Sequence, residues 1–194
     1  MSIVRKERQT RETNISVTLD LYGEILEKSK ITTGIGFLDH MLELFSFHSG
    51  ILFEISAEGD TEVDYHHTVE DIGITLGQAM DSALGDRKGI SRYGEATIPL
   101  EESLSQAVVD LARRPYLYFK AKFPVEKIGN FDAELIEEFF RALCMNALFT
   151  LHLRNFYGKN GHHIAESLFK AFAYAMKRAL TQTEEELIST KGIL

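Results

Sequence analysis

Two short segments govern what this chain can fold into: HHTVE at residues 66–70 and HHIAE at residues 162–166, 96 positions apart. Residues four apart on a helix lie one above the other, so His66 shares a face with Glu70, and His162 with Glu166. Each couple can reach a single cation. His67 and His163 point about 100° round the helix from their neighbours, so they serve a second ion or a second site. Packing gives a helix no reason to carry such ionisable pairs in both places. The repeat therefore reads as metal-binding segments kept through a duplication.

The surroundings repeat as well. In NISVTLDLYG, Ile15, Val17, Leu19 and Leu21 alternate with polar residues, as in a half-buried strand that follows the charged arm RKERQTRE. TGIGFLDHMLELFSFHSG turns helical, with Phe37, Leu38, Met41, Leu42 and Phe45 at three- to four-residue spacing. ILFEISAEGD is a strand ending in a turn, and HHTVEDIGITLGQAMDSALGD a helix stopped by glycine. The second copy predicts strands in ATIPLEESLSQAVVDLA and PYLYFKAKF, a helix from Asp132 to Phe149, a strand in LHLRNFY and a last helix in HHIAESLFKAFAYAMKRAL. The expectation is an α+β chain with half-repeats at residues 1–92 and 93–194 in one compact unit. Neither half can cover both faces of its own sheet, so the halves pack helix layer against helix layer.

Composition excludes several classes. A net charge of −8 disfavours nucleic acid as a partner. No run approaches the roughly 18 apolar residues of a membrane span, and MSIVRKERQT lacks the apolar stretch of a signal peptide, so a cytoplasmic location is expected. The single cysteine, Cys144, rules out an internal disulfide and lies in the apolar pattern EEFFRALCMNALF, where it reads as a core residue.

With no thiolate at hand, imidazole and carboxylate donors suit manganese, iron, nickel, zinc or cobalt. His40, in FLDHMLELF, lies 26 residues before His66, and the comparable position 24 residues before His162 is Glu138. His48 sits where it complements a helix C-terminus or faces a ligand. His152 falls on a strand and reads equally well as structural or ligating.

DYHHTVEDIGITLG and GKNGHHIAESLFKA resemble the two signature segments of the imidazoleglycerol-phosphate dehydratase family. RQTRETNI, GIGFLDHML, the RPY of DLARRPYLYF and STKG match in order along essentially the whole chain. The resemblance implies ribosomal-S5-domain-2-like, ferredoxin-like half-domains, with four-stranded sheets packed around a helix layer. It implies a homo-oligomer of 24 subunits with active sites at subunit contacts, and two Mn2+ ions per active site. Metal-ligand positions of the family fall on His40, His66, His67, Glu70, His162, His163 and Glu166. A further one, histidine in the plant relatives, falls on Glu138. Substrate contacts fall on Glu12, His48, Arg92, Arg114, Lys170, Ser189 and Lys191, and catalysis on Glu12, His40, Glu70 and Glu166. The chain departs from the family at Ala112-Arg113, where relatives often have Ser-Gly, and at Ile188, where many have proline.

The implied reaction removes water from imidazole glycerol phosphate to give imidazole acetol phosphate. The C–H proton lost has no neighbouring carbonyl to acidify it. Two Lewis-acidic cations at the ring nitrogens favour the imidazolate, which expels the adjacent hydroxyl through a diazafulvene-like intermediate. Glu12 serves as acid and base, while arginine forks and lysine point charges hold the phosphate. From the residues alone, a dinuclear hydrolase and a non-catalytic metal scaffold remain as alternatives.

Overall fold

The computed structural model describes residues 3–184, so Ser189 and Lys191 lie outside the described residues. The first half runs β1 (Ile3–Gln9), β2 (Thr13–Asp20), β3 (Lys30–Thr32), α1 (Gly36–Ser49), β4 (Leu52–Gly59) and α2 (His66–Leu84). The second runs β5 (Tyr93–Leu100), β6 (Ser103–Asp110), β7 (Tyr116–Lys120), a small hairpin of β8 (Lys127–Ile128) and β9 (Phe131–Asp132), α3 (Leu135–Ala147), β10 (Thr150–Tyr157) and α4 (Gly161–Ala179). The fold is α+β. Its two four-stranded sheets share one plan, β1-β2-β4-β3 and β5-β6-β10-β7, and in each the last strand joins in parallel.

Period-two alternation decides which sheet face is covered. Ile15, Val17 and Leu19 of β2, and Leu151 and Leu153 of β10, point into the core, while His152 and Arg154 point outward. α2 lies on β1, β2 and β4, and α4 on β5, β6 and β10. Each helix then finds its helical neighbour in the other half: α2 packs on α3, and α1 on α4. The result is a helix layer between two sheets, filled by aromatic pairs such as Phe45–Phe172 across α1 and α4, with centroids 4.9 Å apart. Cys144 is fully buried there, and burial pushes its thiol pKa up. Among the described residues, no helix is long and apolar enough to cross a membrane.

Three elements differ from the sequence expectation. The segment read as a charged arm is strand β1, antiparallel to β2 from Ile3↔Asp20 to Gln9↔Asn14. Its residues alternate between exposed and half-buried, and of the inward positions Val4, Lys6 and Arg8 only Val4 is apolar, while Arg8 pairs with Asp71 at 2.6 Å. α3 begins at Leu135, because Phe131–Asp132 are taken up by the β8–β9 hairpin. The three-residue strand β3 carries no readable alternation.

The α2–α3 contact is unusually close. A Cβ on Gly77 would stand 2.7 Å from the Leu143 carbonyl oxygen, and one on Gly73 2.9 Å from that of Phe139. In an open helix Gly→Ala gains up to about 1 kcal/mol. Here Gly77→Ala overpacks a backbone contact and is expected to cost about 1–3 kcal/mol, read as a lowered thermal midpoint. A raised midpoint contradicts the close approach.

Candidate metal and substrate site

Both HHxxE segments open a helix, and each start is secured alike. The side-chain oxygen of Asp64 accepts the His66 backbone N–H at 2.7 Å, and that of Asn160 accepts the His162 N–H at 2.9 Å. An Asx residue two positions before the first histidine thus satisfies an orphan donor of the first turn. The next helical residues, Thr68 and Val69, Ile164 and Ala165, are buried against the sheets. That registration turns the histidines and glutamates away from the core.

Packing of α1 on α4 completes a donor group across the two halves. His40, His162 and Glu166 have one ligand atom each, all within 4.8 Å of one another. His162 Nε2 is 3.2 Å and His40 Nε2 3.8 Å from Glu166 Oε2. Lys170 Nζ donates to Glu166 Oε1 at 2.6 Å, one helical turn further on. Burial pushes the Glu166 carboxyl up, but the Lys170 ammonium and the two histidines outweigh it, and the net shift is downward. His48 lies on the same α1–α4 face, its ring 5.3 Å from Tyr174. Partial burial, then the Lys170 charge, hold its pKa below the ordinary histidine value. An imidazole–imidazole–carboxylate set with neutral rings is what a borderline divalent cation requires.

The second histidine of each HHxxE segment is held by a carboxylate. His67 Nδ1 is 3.0 Å from Asp60 Oδ2 and 3.8 Å from Glu12 Oε2. His163 Nδ1 is 2.7 Å from Glu102 Oε2. These bonds raise both histidine pKa values, and His163, followed by the Lys159 and Asn160 backbone N–H groups, draws Glu102 down to about 2. Glu101 joins Glu102 and His163 in a second group of close donors. No third such group occurs among the described residues, so His66, Glu70 and Glu138 are not assembled with two further donors. Glu138 instead lies 3.9 Å from Arg141. No hydrogen bond, ion pair or ring contact joins His66, His67 or Glu70 to His162, His163 or Glu166 among the described residues.

The arginines converge on one carboxylate. Asp110 accepts from Arg92 through both oxygens, at 2.7 and 3.1 Å, and from Arg114 at 3.0 Å. The Asp110 bond raises the Arg92 pKa. Arg92 is nearly buried, with a left-handed backbone at φ 64°, whereas Arg114 is largely exposed. His152 stands apart on the outer face of the second sheet, stacked on Tyr118 at 5.3 Å. Sequence reasoning missed Asp60, Glu102 and Asp110. The signal for Glu102 lies in aligning the two halves through their β-hairpins, which are offset by 90 residues, instead of through the HHxxE segments.

The family model for imidazoleglycerol-phosphate dehydratase matches residues 33–176. The imidazoleglycerol-phosphate dehydratase of Staphylococcus carnosus is 51% identical over 191 residues, covering 98% of each chain. That of Methylorubrum extorquens is 51% identical over 190 residues, covering 96% of each. The crystal structure of the Staphylococcus aureus enzyme superposes with a TM-score of 0.85 at 44% identity, over 94% of this chain and 100% of that one. The Pyrococcus furiosus enzyme, in complex with (S)-C348, gives 0.84 at 34% identity, over 97% and 99%. Sequence, fold and coverage agree, and this chain belongs to the imidazoleglycerol-phosphate dehydratase family.

Proposed function

We propose that this chain dehydrates imidazole glycerol phosphate to imidazole acetol phosphate in histidine biosynthesis, in the cytoplasm, as a hydro-lyase with two Mn2+ ions per active site. The observation that carries the reading is the convergence of His40, His162 and Glu166, with Lys170 alongside. The donor set fits such an ion: Nε2 of both histidines and one Glu166 oxygen face each other, while Lys170 occupies the other oxygen. His66, His67, Glu70, His163 and Glu138 are the remaining candidate ligands. When bound, the ions supply Lewis acidity at the two nitrogens of the substrate's imidazole.

The chain's own residues do the rest. Glu12 stands at the end of the β1–β2 hairpin, 55% exposed and close to His67, free to take a proton from the substrate's glycerol carbon and return one to the enol. Arg92, held by Asp110 through two of its donors, brings an ordered guanidinium charge to the phosphate. Arg114 and Lys170 add charge, and His48 beside Lys170 contributes a neutral ring. Ser189 and Lys191 complete the proposed substrate contacts. Each donor group holds three residues of one chain, and among the described residues no hydrogen bond, ion pair or ring contact joins the two HHxxE segments, which supports sites completed between subunits of a 24-subunit shell.

Glu12→Gln is expected to lower turnover by about 10²- to 10⁴-fold while ion content and assembly persist. Turnover at the parent rate removes Glu12 from the chemistry. EDTA is expected to break the assembly into smaller species, read by light scattering; an unchanged mass argues against ions shared between subunits. His67 and His163 have raised pKa values, so protons compete for them from above the ordinary histidine range downward. Ion occupancy therefore begins to fall near neutral pH and is lost by about pH 5 in metal analysis after dialysis. Full occupancy at that pH means that carboxylates dominate the sites.

A further inference from the structure

We propose that Glu102 is the positional twin of Glu12 and a positioning residue: it holds His163 with Nε2 turned outward as a ligand, the task Asp60 performs for His67, and this exchange is what leaves Glu12 free. The inference rests on the reading of the HHxxE helices as metal-bearing.

The twin relation comes from the strand ladders. β1–β2 pairs run from Ile3↔Asp20 to Gln9↔Asn14, and β5–β6 pairs from Tyr93↔Asp110 to Pro99↔Leu104. The second ladder is the first moved by 90 residues, so the turn residues Arg11 and Glu12 correspond to Glu101 and Glu102. The strand before each HHxxE helix gives a second fixed point. A Cβ on Gly59 would strike Thr68 and Thr13, and a Cβ on Gly158 would strike Ile164 and Ser103. Thr68 and Ile164 are both the third residue of an HHxxE segment, and Thr13 and Ser103 each follow a twin glutamate. Gly59 and Gly158 are therefore equivalent, and the residues after them are Asp60 and Lys159.

At this position the two halves carry opposite charges. His67 finds a carboxylate on its own loop, Asp60, at 3.0 Å, and Glu12 stands back at 3.8 Å. His163 has Lys159 in that place, so its Nδ1 is satisfied from the opposing hairpin by Glu102, at 2.7 Å. The other Glu102 oxygen accepts the backbone N–H groups of Lys159 and Asn160 at 3.0 and 2.8 Å. Glu102 is thus fully engaged, one oxygen on the loop and one on the imidazole. An imidazole that donates Nδ1–H to a carboxylate keeps its lone pair on Nε2, fixed in direction. Of the two hairpin glutamates, one clamps a histidine whose own loop offers Lys159, and the other stands beside a histidine already held by Asp60.

Glu102→Gln tests this in the full chain. Glutamine keeps Oε1 on the two loop N–H groups but sets an amide NH2 against His163 Nδ1, which drives the ring proton to Nε2. Titrating the metal-free protein with Mn2+ alone is expected to show one of two sites weakened about 10- to 100-fold, with the thermal midpoint of the metal-free protein unchanged. Asp60→Asn weakens one site in the same way, Glu12→Gln leaves both intact, and Glu102→Asp restores part of the affinity. Two sites of parental affinity in Glu102→Gln overturn the assignment, as does an equal fall in the midpoint with and without Mn2+. A parent chain that takes up no Mn2+ removes the metal reading itself, and this assignment with it.

Discussion

The close contact between helices of opposite halves is the constraint on which the rest depends. α1 belongs to the first sheet and α4 to the second, and only their packing, through Phe45 and Phe172, sets His40 against His162 and Glu166. The α2–α3 contact, tight enough to need Gly73 and Gly77, locks the other side of the same layer. A donor group assembled from two halves cannot form unless the whole layer folds, so the chemistry is coupled to the global core and not to one element.

Duplication gave the chain two equal frameworks, and function required them to differ. The frameworks stayed equal where packing governs: strand order, the parallel last strand, and a glycine where the sheet meets the HHxxE helix. They differ where solvent and substrate reach. Asp60 faces Lys159 in the correspondence, and His40 has Glu138 as its nearest sequence counterpart. On the proposed reading, a nearly symmetric pair of ion sites would suit a ring with two opposed nitrogens, whereas the single C–H to be deprotonated would call for only one free carboxylate.

The sequence made the architecture readable wherever a residue's environment follows from its own segment. The apolar alternation of Ile15, Val17 and Leu19 and the helical spacing from Phe37 to Phe45 are local signals, and the structure bears them out. β1 escaped because its inward positions are Val4, Lys6 and Arg8, a face with a single apolar residue and so no apolar period. In the site, the doubled histidines were conspicuous because spacing alone puts His162 over Glu166. The partners of Nδ1 were not, since Glu102 reaches His163 across 61 residues through two strand ladders. Asp110 was passed over because in a strand it looks like any outward carboxylate, and its two partners come from outside that strand, Arg92 18 residues before it and Arg114 just after it.

The Asp110 bridge bears on how an anion is received. One carboxylate faces two guanidinium groups, so the trio keeps a single positive charge in a chain whose total is −8. The Arg92 rotamer is already chosen on folding, and Arg114 is drawn toward it. A free arginine surrenders about 2 kcal/mol of side-chain freedom when a ligand immobilises it. In the proposed phosphate site that ordering is completed on folding, so a dianion would meet guanidinium groups already held in place.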